Sequence, residues 1–201
     1  MKSPFELENQ NSRIESKIVV ALERVSEAIR VLLWDEGKAS SVSPIQLQLL
    51  IFLLFHSPDK CKVSYLAREF NMTKATVSDS IKGLLQKGMI EKTIDPGDSR
   101  SQIITLTPNG QETAKRASLF ANKLEKPLSE LTTSQKAHML NGLLKLIYEL
   151  NQSGVITMQR MCFSCNNYRF EGGVHYCKLL ETKLNTDELR VDCPEHEMVR
   201  N

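Results

Sequence analysis

The sequence lacks any apolar run long enough to cross a membrane. Its longest such run, residues 49–55, is far shorter than the roughly 20 residues that a spanning helix needs. The N-terminus also lacks the basic region followed by an apolar segment that marks a secretory leader. These two absences argue against a membrane-embedded or secreted protein, and we expect a cytoplasmic one.

The sequence also lacks the common signatures of an enzyme. It has no glycine-rich loop that would cradle a phosphate and no Gly-x-Ser-x-Gly nucleophile turn. His56 and His138 lie in apolar helical stretches, which favours packed or surface histidines over catalytic ones. The net charge is only +2, so no overall basic surface indicates nucleic acid. From Lys60 to Arg100, however, eight Lys or Arg stand against five Asp or Glu, so a basic excess is present locally.

That basic stretch begins with a helix-turn-helix pattern. Residues 64–70 predict a short helix, Asn71-Met72 a tight turn, and Thr73 the N-cap of a second helix. The second helix carries an apolar stripe made of Val77, Ile81, Leu84 and Leu85. Opposite that stripe lies an outward surface, here named the reading face, made of Ala75, Thr76, Asp79, Lys82 and Gln86. A helix presented in this way can enter a DNA major groove.

A two-stranded hairpin, here named the wing, is predicted next. Gly88 ends the second helix as a left-handed cap, and residues 89–94 form the first strand. Residues 95–100 contain Pro, Gly and Asp and predict a tight turn, and residues 102–106 form the returning strand. We therefore expect Arg100 to project from the tip of the wing, where it can enter a minor groove. This order of elements predicts DNA binding.

Several short segments within residues 14–150 belong to a known pattern. They are Leu66-Ala67, Thr76-Val77-Ser78, residues 84–90 (LLQKGMI), the pair Asp98 and Arg100, and Leu106-Thr107-Pro108-Asn109-Gly110. With them the chain resembles the multiple-antibiotic-resistance regulator (MarR) family of bacterial transcription factors. The resemblance implies a mostly α fold with a small β-hairpin, the winged helix-turn-helix, and a homodimer on a pseudo-palindromic DNA operator. It also implies repression relieved by a small ligand or an oxidation event.

We expect nine residues to contact DNA. They are Ser43, Lys74, Ala75, Thr76, Ser78, Asp79, Lys82, Asp98 and Arg100. Ser43 begins a helix at Ser43-Pro44 and can approach a phosphate from there. Two positions depart from the family pattern, because Asp79 and Ser99 stand where arginine is frequent, and this predicts weaker phosphate contact. Asp79 can accept a hydrogen bond from a cytosine amino group or hold a neighbouring Lys or Arg in place, and the sequence leaves both roles open.

Two terminal helices carry apolar stripes that suggest an interface. The N-terminal stripe is Ile18, Leu22, Val25, Ile29 and Leu32, and the C-terminal one is Leu140, Leu143, Leu144, Ile147 and Leu150. A monomeric helical core would also explain them, but the family resemblance places a dimer interface in these helices. The helix between them carries Leu47, Leu50, Ile51 and Leu54 and is predicted to form the core.

The composition changes after residues 151–154. We expect a winged-helix and dimerisation domain over residues 1–153, with its reader at 61–107, and a small C-terminal extension over 154–201. Four of the five cysteines fall in the last forty residues, as Cys162-x-x-Cys165, Cys177 after a gap of eleven and Cys193 after a gap of fifteen. This extension is outside the usual family pattern.

In a reducing cytoplasm such a cluster is more typical of metal binding than of disulfides. Cys-x-x-Cys places two thiolates on one turn, and two further ligands complete a tetrahedral site. Zinc is the favoured ion, with His196 or His175 as a substitute ligand, but a cysteine followed by Pro194 also suits an iron–sulfur cluster. Unligated thiols with a redox role are the remaining interpretation.

Two other functions stay open at this point. The extension can form a redox or metal-dependent enzyme or an electron carrier, and a winged helix can serve protein contacts alone. Cys61 lies apart and is interpreted as an ordinary small residue rather than a sensor. Because the extension follows the last long helix, we expect a change in it to act first on Leu143, Ile147 and Leu150, whether it senses a signal or only braces the dimer.

Overall fold

The computed structural model describes residues 2–199, so only the outermost ends of the two predicted domains lie outside it. The helices are α1 Leu7–Ser12, α2 Ile14–Ser40, α3 Pro44–Phe55, α4 Val63–Glu69, α5 Lys74–Gln86, α6 Pro108–Ser118, α7 Asn122–Ser129 and α8 Thr133–Gln152. The strands are β1 Ile90–Asp95, β2 Asp98–Leu106, β3 Tyr168–Glu171, β4 Val174–Cys177 and β5 Thr182–Leu184. Short 3₁₀ turns connect several of them. The predicted mostly helical α+β class is confirmed.

No single helix within residues 2–199 is long and apolar enough to cross a membrane, and only the bent pair α2 and α3, at 87° to each other, reaches that composition when taken together.

The helix-turn-helix has the predicted boundaries. α4 and α5 flank a turn in which Asn71 adopts the left-handed region with φ of 50°. Thr73 caps α5, since its Oγ1 accepts a hydrogen bond from the backbone N–H of Thr76 at 3.1 Å. The apolar stripe of α5 is buried at Val77, Ile81 and Leu84. α5 is therefore fixed by its cap and by the core beneath it, and α4 is held by its buried residues Leu66 and Ala67.

The core is organised around α3. Its buried residues are Leu47, Leu49, Leu50, Phe52 and Leu53. Ser43 caps the helix by accepting from the Gln46 N–H at 3.3 Å, and the Gln46 side chain accepts from the Ser43 N–H at 3.1 Å. The same glutamine side chain donates to the carbonyl of Ser80 at 3.3 Å. This contact ties the start of α3 to α5.

The wing is longer than the sequence predicts. β2 begins at Asp98 instead of Gln102, so Arg100 lies within the strand and not in the turn. Asp95 pairs with Asp98 and Ile94 with Gln102, which leaves residues 99–101 without partners in β1. A bulge of this kind absorbs extra residues while the ladder continues on both sides, and a sequence pattern does not reveal it. The prediction of a turn through Arg100 is corrected accordingly.

A close backbone approach joins the wing to α6. Thr107 caps α6 through the Gly110 N–H at 3.1 Å, and its hydroxyl donates to the Gly88 carbonyl at 2.7 Å. A Cβ built on Gly110 would lie 1.8 Å from the Met89 carbonyl oxygen. Only glycine fits there, which explains the residue at the end of the segment 106–110.

The two terminal helices differ from each other in what their stripes contact. Along α2, Ile18 and Val25 are exposed, whereas Ile29 packs on the core. Along α8, Leu140, Leu144 and Ile147 pack against Met161 and Leu189 of the extension. This corrects the assignment of Leu144 to a dimer interface, because it is buried beneath the chain's own extension, whereas Leu140 and Ile147 are only partly buried and their place in an interface stays a prediction. Leu143 and Leu150 stay partly exposed.

The extension contains a small antiparallel sheet in the order β3, β4, β5. Its buried core is limited to Met161 and Leu189 against Leu144, with Phe163, Tyr168 and other partly buried side chains around them. So small a core contributes little stability by itself.

Candidate functional site

The reading face of α5 is exposed at all five predicted positions, and Lys74 beside it is exposed as well. Ser78 is half-buried. Lys82 Nζ donates to Asp79 Oδ1 at 3.2 Å. Of the two roles open to Asp79, the structure therefore shows the one in which it holds a neighbouring lysine. Its contact with a base stays a prediction.

The first turn of α5 favours an anion. It carries Lys74 and no acidic residue among its described side chains. Backbone N–H groups at a helix N-terminus carry partial positive charge, so a phosphate is attracted there. Ser43 is also exposed, but its hydroxyl already caps α3 beside α5.

The wing presents Arg100, whose side chain is 91% exposed. The Arg100 Nε and backbone N–H donate to Asp98 Oδ1 at 3.2 and 3.1 Å. Asp98 therefore orients the arginine, and its own side chain, 46% exposed, lies on the same outward surface. At the turn end of the wing, Lys62 hydrogen-bonds Asp95, the last residue of β1, which raises the pKa of Lys62 and lowers the pKa of Asp95. The wing is thus pinned to the start of α4.

Cys61 is buried beneath the wing. Its thiol donates to the carbonyl of Ser57 at 3.4 Å, and its own carbonyl accepts from the Ile104 N–H at 2.8 Å. Burial raises the pKa of Cys61 to about 11. At neutral pH it is a protonated, packed thiol, as the interpretation as an ordinary small residue predicts.

The four cysteines of the extension line one cavity of about 360 Å³, here named the cysteine cavity. All four are free thiols and half-buried. Burial raises the pKa of Cys162, and its three neighbouring thiols raise it further. Within residues 2–199, no group of three or more His, Cys, Asp or Glu side chains has, as it stands, the arrangement that holds a metal ion.

The two histidines offered as substitute ligands have other partners. His175 Nδ1 lies 2.6 Å from the Tyr168 hydroxyl, and its ring packs on Phe170. His196 Nε2 lies 3.0 Å from the hydroxyl of Ser164. The cysteine cavity is lined by all four cysteines and by neither histidine.

A buried arginine joins the extension to the helix-turn-helix. Arg160, only 8% exposed, forms paired hydrogen bonds with Asp192 at 2.6 and 2.8 Å and with both carboxylate oxygens of Glu69 in α4. It also donates to the Tyr65 hydroxyl at 3.0 Å. His56, at the end of α3, approaches Asp192 at 2.9 Å. This group of residues is here named the Arg160 bridge.

Sequence reasoning missed the Arg160 bridge. Burial lowers the pKa of Arg160, but its bonds to Asp192 and Glu69 outweigh burial and raise it. Asp192 lies 32 residues and Glu69 lies 91 residues away along the chain. No local spacing marks them, and His56 gave only the signal of a histidine in an apolar stretch.

A second contact links the start of the extension to the turn of the helix-turn-helix. The Thr157 N–H donates to Asn71 Oδ1 at 2.9 Å, and the Thr157 hydroxyl donates to the Arg68 carbonyl at 2.7 Å. The extension therefore touches α3, α4 and their following turn as well as α8.

Comparisons with known proteins and solved structures show what this chain is similar to. Residues 40–101 match the family model described as MarR family. Over 104 residues the chain is 34% identical to the HTH-type transcriptional regulator BilQ of Clostridium symbiosum, which covers 51% of this chain and 72% of that protein. It is 26% identical over 126 residues to the uncharacterised HTH-type transcriptional regulator YdgJ of Bacillus subtilis, covering 63% and 74%.

The fold agrees with these matches. The crystal structure of the S. aureus MepR–DNA complex superposes with a TM-score of 0.58 at 22% identity, covering 66% of this chain and 97% of that chain. The helix-turn-helix, the wing and the match to most of the length of BilQ lead to one assignment. The chain belongs to the MarR family of winged helix-turn-helix transcriptional regulators.

Proposed function

We propose that this regulator binds a pseudo-palindromic DNA operator as a homodimer and represses transcription from it. The observation that carries the proposal is the exposure of the reading face, on a helix whose opposite side is buried, together with the exposure of Arg100 on the wing. MepR, which shares the fold, has been crystallised with DNA. A cytoplasmic site of action follows from this function, since bacterial DNA is located there.

The exposed groups divide into two kinds of contact. Lys82 and Thr76 can read base edges in the major groove, as can Asp79 once it releases Lys82. Lys74, Ser78 and the N-terminus of α5 suit the phosphate backbone. Arg100 suits a narrow minor groove, where the negative potential is strongest.

The homodimer is proposed because one winged helix makes few contacts with DNA. Two recognition helices reach successive major grooves when they lie about 34 Å apart. The exposed apolar side chains of α2, among them Ile18 and Val25, support an interface on that helix.

The family assignment also bears on the alternative that the extension forms an enzyme or an electron carrier. MarR proteins are transcription regulators, so a redox enzyme or electron carrier built on the extension has no support from it. We propose that the regulator responds to a signal. The candidate signals are a small ligand, a metal and an oxidation event. Because four thiols line one cavity of the extension, we propose the metal, bound by the extension.

The test is to select a preferred duplex from a random DNA pool and to measure affinity by fluorescence anisotropy across salt concentrations. Arg100→Ala should weaken DNA binding most where the flanking sequence is rich in A·T pairs. If Arg100 contacts a phosphate, the variant should also reduce the slope of log affinity against log salt concentration by about 0.9 for each lost contact. Lys82→Ala should change base preference, costing about 1–3 kcal/mol where a good base contact is lost.

Arg169→Ala, an exposed arginine of the extension, is the matched control. An Arg100→Ala protein that binds like Arg169→Ala would contradict the role of the wing. A dimer that selects no duplex at all would instead indicate a winged helix used for protein contacts.

A further inference from the structure

Backbone hydrogen bonds hold the four cysteine segments around the cysteine cavity. The Cys165 N–H donates to the Cys162 carbonyl at 3.0 Å, which closes the Cys-x-x-Cys turn. The Cys162 N–H donates to the Arg190 carbonyl at 3.0 Å, and the Cys193 N–H to the Arg160 carbonyl at 2.8 Å. Cys177 ends β4, where it pairs with Tyr168 of β3. Segments far apart in the sequence are therefore fastened with their thiols toward one space.

Two of the sulfur atoms already have donors of the kind that supports a thiolate. The Arg190 N–H lies 3.3 Å from Cys162 Sγ, and the Arg190 guanidinium Nη1 lies 3.8 Å from Cys193 Sγ. N–H groups that donate to a cysteine sulfur are typical of metal-bound thiolates, because they stabilise the negative charge on the sulfur. The guanidinium also supplies positive charge beside a centre that four thiolates would make negative.

The four thiols do not form a metal-binding group as they stand within residues 2–199, so they must rotate to become ligands. Rotation about each Cα–Cβ bond moves a sulfur between staggered positions while the backbone stays in place. The cavity walls also include Leu179, Leu180 and Leu184, which give the site an apolar border. With so little buried core in the extension, a bound metal would supply stability that packing does not.

We propose that Cys162, Cys165, Cys177 and Cys193 together hold one Zn²⁺ ion, and that this ion controls DNA affinity through the Arg160 bridge. Binding exchanges four thiol protons, released to solvent, for one zinc ion, and leaves a centre of net charge −2. The regulatory half rests on the proposed DNA-binding function, whereas the metal half does not.

The connection runs through a single peptide bond. Cys193 is a ligand in this assignment, and Asp192 before it forms the paired hydrogen bonds with Arg160. Arg160 in turn holds Glu69 and Tyr65, both in the first helix of the helix-turn-helix. Loss of the ion frees the segment that carries Asp192, so α4 loses its brace and the reader is less well positioned.

This route differs from transmission through α8 alone. The extension contacts α8 at Leu140, Leu144 and Ile147, but the Arg160 bridge reaches the reader directly. A metal signal therefore does not require a change in dimer geometry to alter DNA binding.

The first experiment measures metal in the full-length protein, purified without chelators under anaerobic conditions. We expect one zinc per chain by elemental analysis and no visible absorption. Cys177→Ser should release the ion, whereas Cys61→Ser, a buried cysteine outside the cavity, should retain it. Protein without metal would overturn the site, and iron with sulfide and a visible charge-transfer band would overturn zinc in favour of a cluster.

The second experiment tests the regulatory half with two conservative variants. Asp192→Asn and Glu69→Gln keep all four thiols and should keep zinc. Removal of zinc from the wild-type protein should weaken DNA binding by roughly 5–150-fold, the usual range of allosteric coupling. In both variants, the affinities with and without zinc should become nearly equal. Asp187→Asn, an exposed acidic residue of the extension, is the control and should keep the full zinc effect.

A readout that does not need DNA separates the two possible failures. Hydrogen exchange of the α4 amides should accelerate on zinc removal in the wild-type protein and in Asp187→Asn, but not further in Asp192→Asn. If α4 exchange and DNA affinity both ignore zinc, the bridge is not a regulatory link. If α4 responds and no duplex is bound in either state, the link stands and the proposed DNA-binding function fails.

Discussion

Replacement of Arg160 by methionine should destabilise the protein more than loss of an ordinary ion pair. Methionine keeps much of the aliphatic volume but removes the charge and every hydrogen bond of the guanidinium. Arg160 is 8% exposed, and its partners differ, since the Glu69 side chain is 18% exposed and that of Asp192 is 46% exposed. Most of the cost should therefore come from the carboxylate of Glu69, which cannot regain full hydration.

The magnitude follows from that burial. Breaking a buried ion pair by removing one partner costs about 3–5 kcal/mol, whereas an exposed pair is worth about 0–1 kcal/mol. Because Asp192 is nearly half exposed, we expect the lower end, about 3 kcal/mol. With a urea slope of about 2 kcal/mol per molar, this corresponds to a midpoint shift of roughly 1.5 M.

The assay is urea unfolding followed by circular dichroism, with metal content and protein concentration held equal. Arg116→Met is the matched control, because Arg116 pairs with Glu36 at 3.4 Å on the surface and its side chain is 54% exposed. It should lose less than about 1 kcal/mol. If Arg160→Met lost no more than Arg116→Met, the argument that Arg160 is a buried structural bridge would be refuted.

Two further predictions concern the reader. Gly110→Ala places a Cβ against the Met89 carbonyl and should lower the free energy of unfolding by about 3 kcal/mol, measured by thermal unfolding. The control is Gly142→Ala, which has open space around its Cβ and should leave the free energy of unfolding unchanged or raise it by up to about 1 kcal/mol. Equal effects of the two variants would refute the close approach of α6 to the wing. The Lys62 hydrogen bond lowers the pKa of Asp95 in the folded protein below its ordinary value of 3.8. The stabilisation from this hydrogen bond is therefore complete above pH 3.8 and is lost as the pH falls through the pKa that Asp95 has in the folded protein. The difference in melting temperature between wild type and Asp95→Asn should therefore shrink from pH 7 to pH 3, and an unchanged difference would show that the charge of Asp95 plays no part.

Local signals in the sequence were sufficient for the helix-turn-helix. The spacing of Val77, Ile81 and Leu84 fixed the buried side of α5 and hence its reading face. The caps at Thr73 and Thr107 and the left-handed Gly88 fixed element boundaries to within about two residues. Such features depend on residues three or four apart, so periodicity and cap chemistry carry them.

The tertiary structure decided whatever depends on distant residues. The bulge placed Arg100 inside β2, and the extension, instead of a second chain, covered part of the α8 stripe. The spacing of the four cysteines suggested a metal site, but only the fold gathered their thiols around one cavity and gave the histidines other partners. The Arg160 bridge joins residues from three separate segments. Its charges affect stability because they are buried, and no local sequence pattern shows that burial.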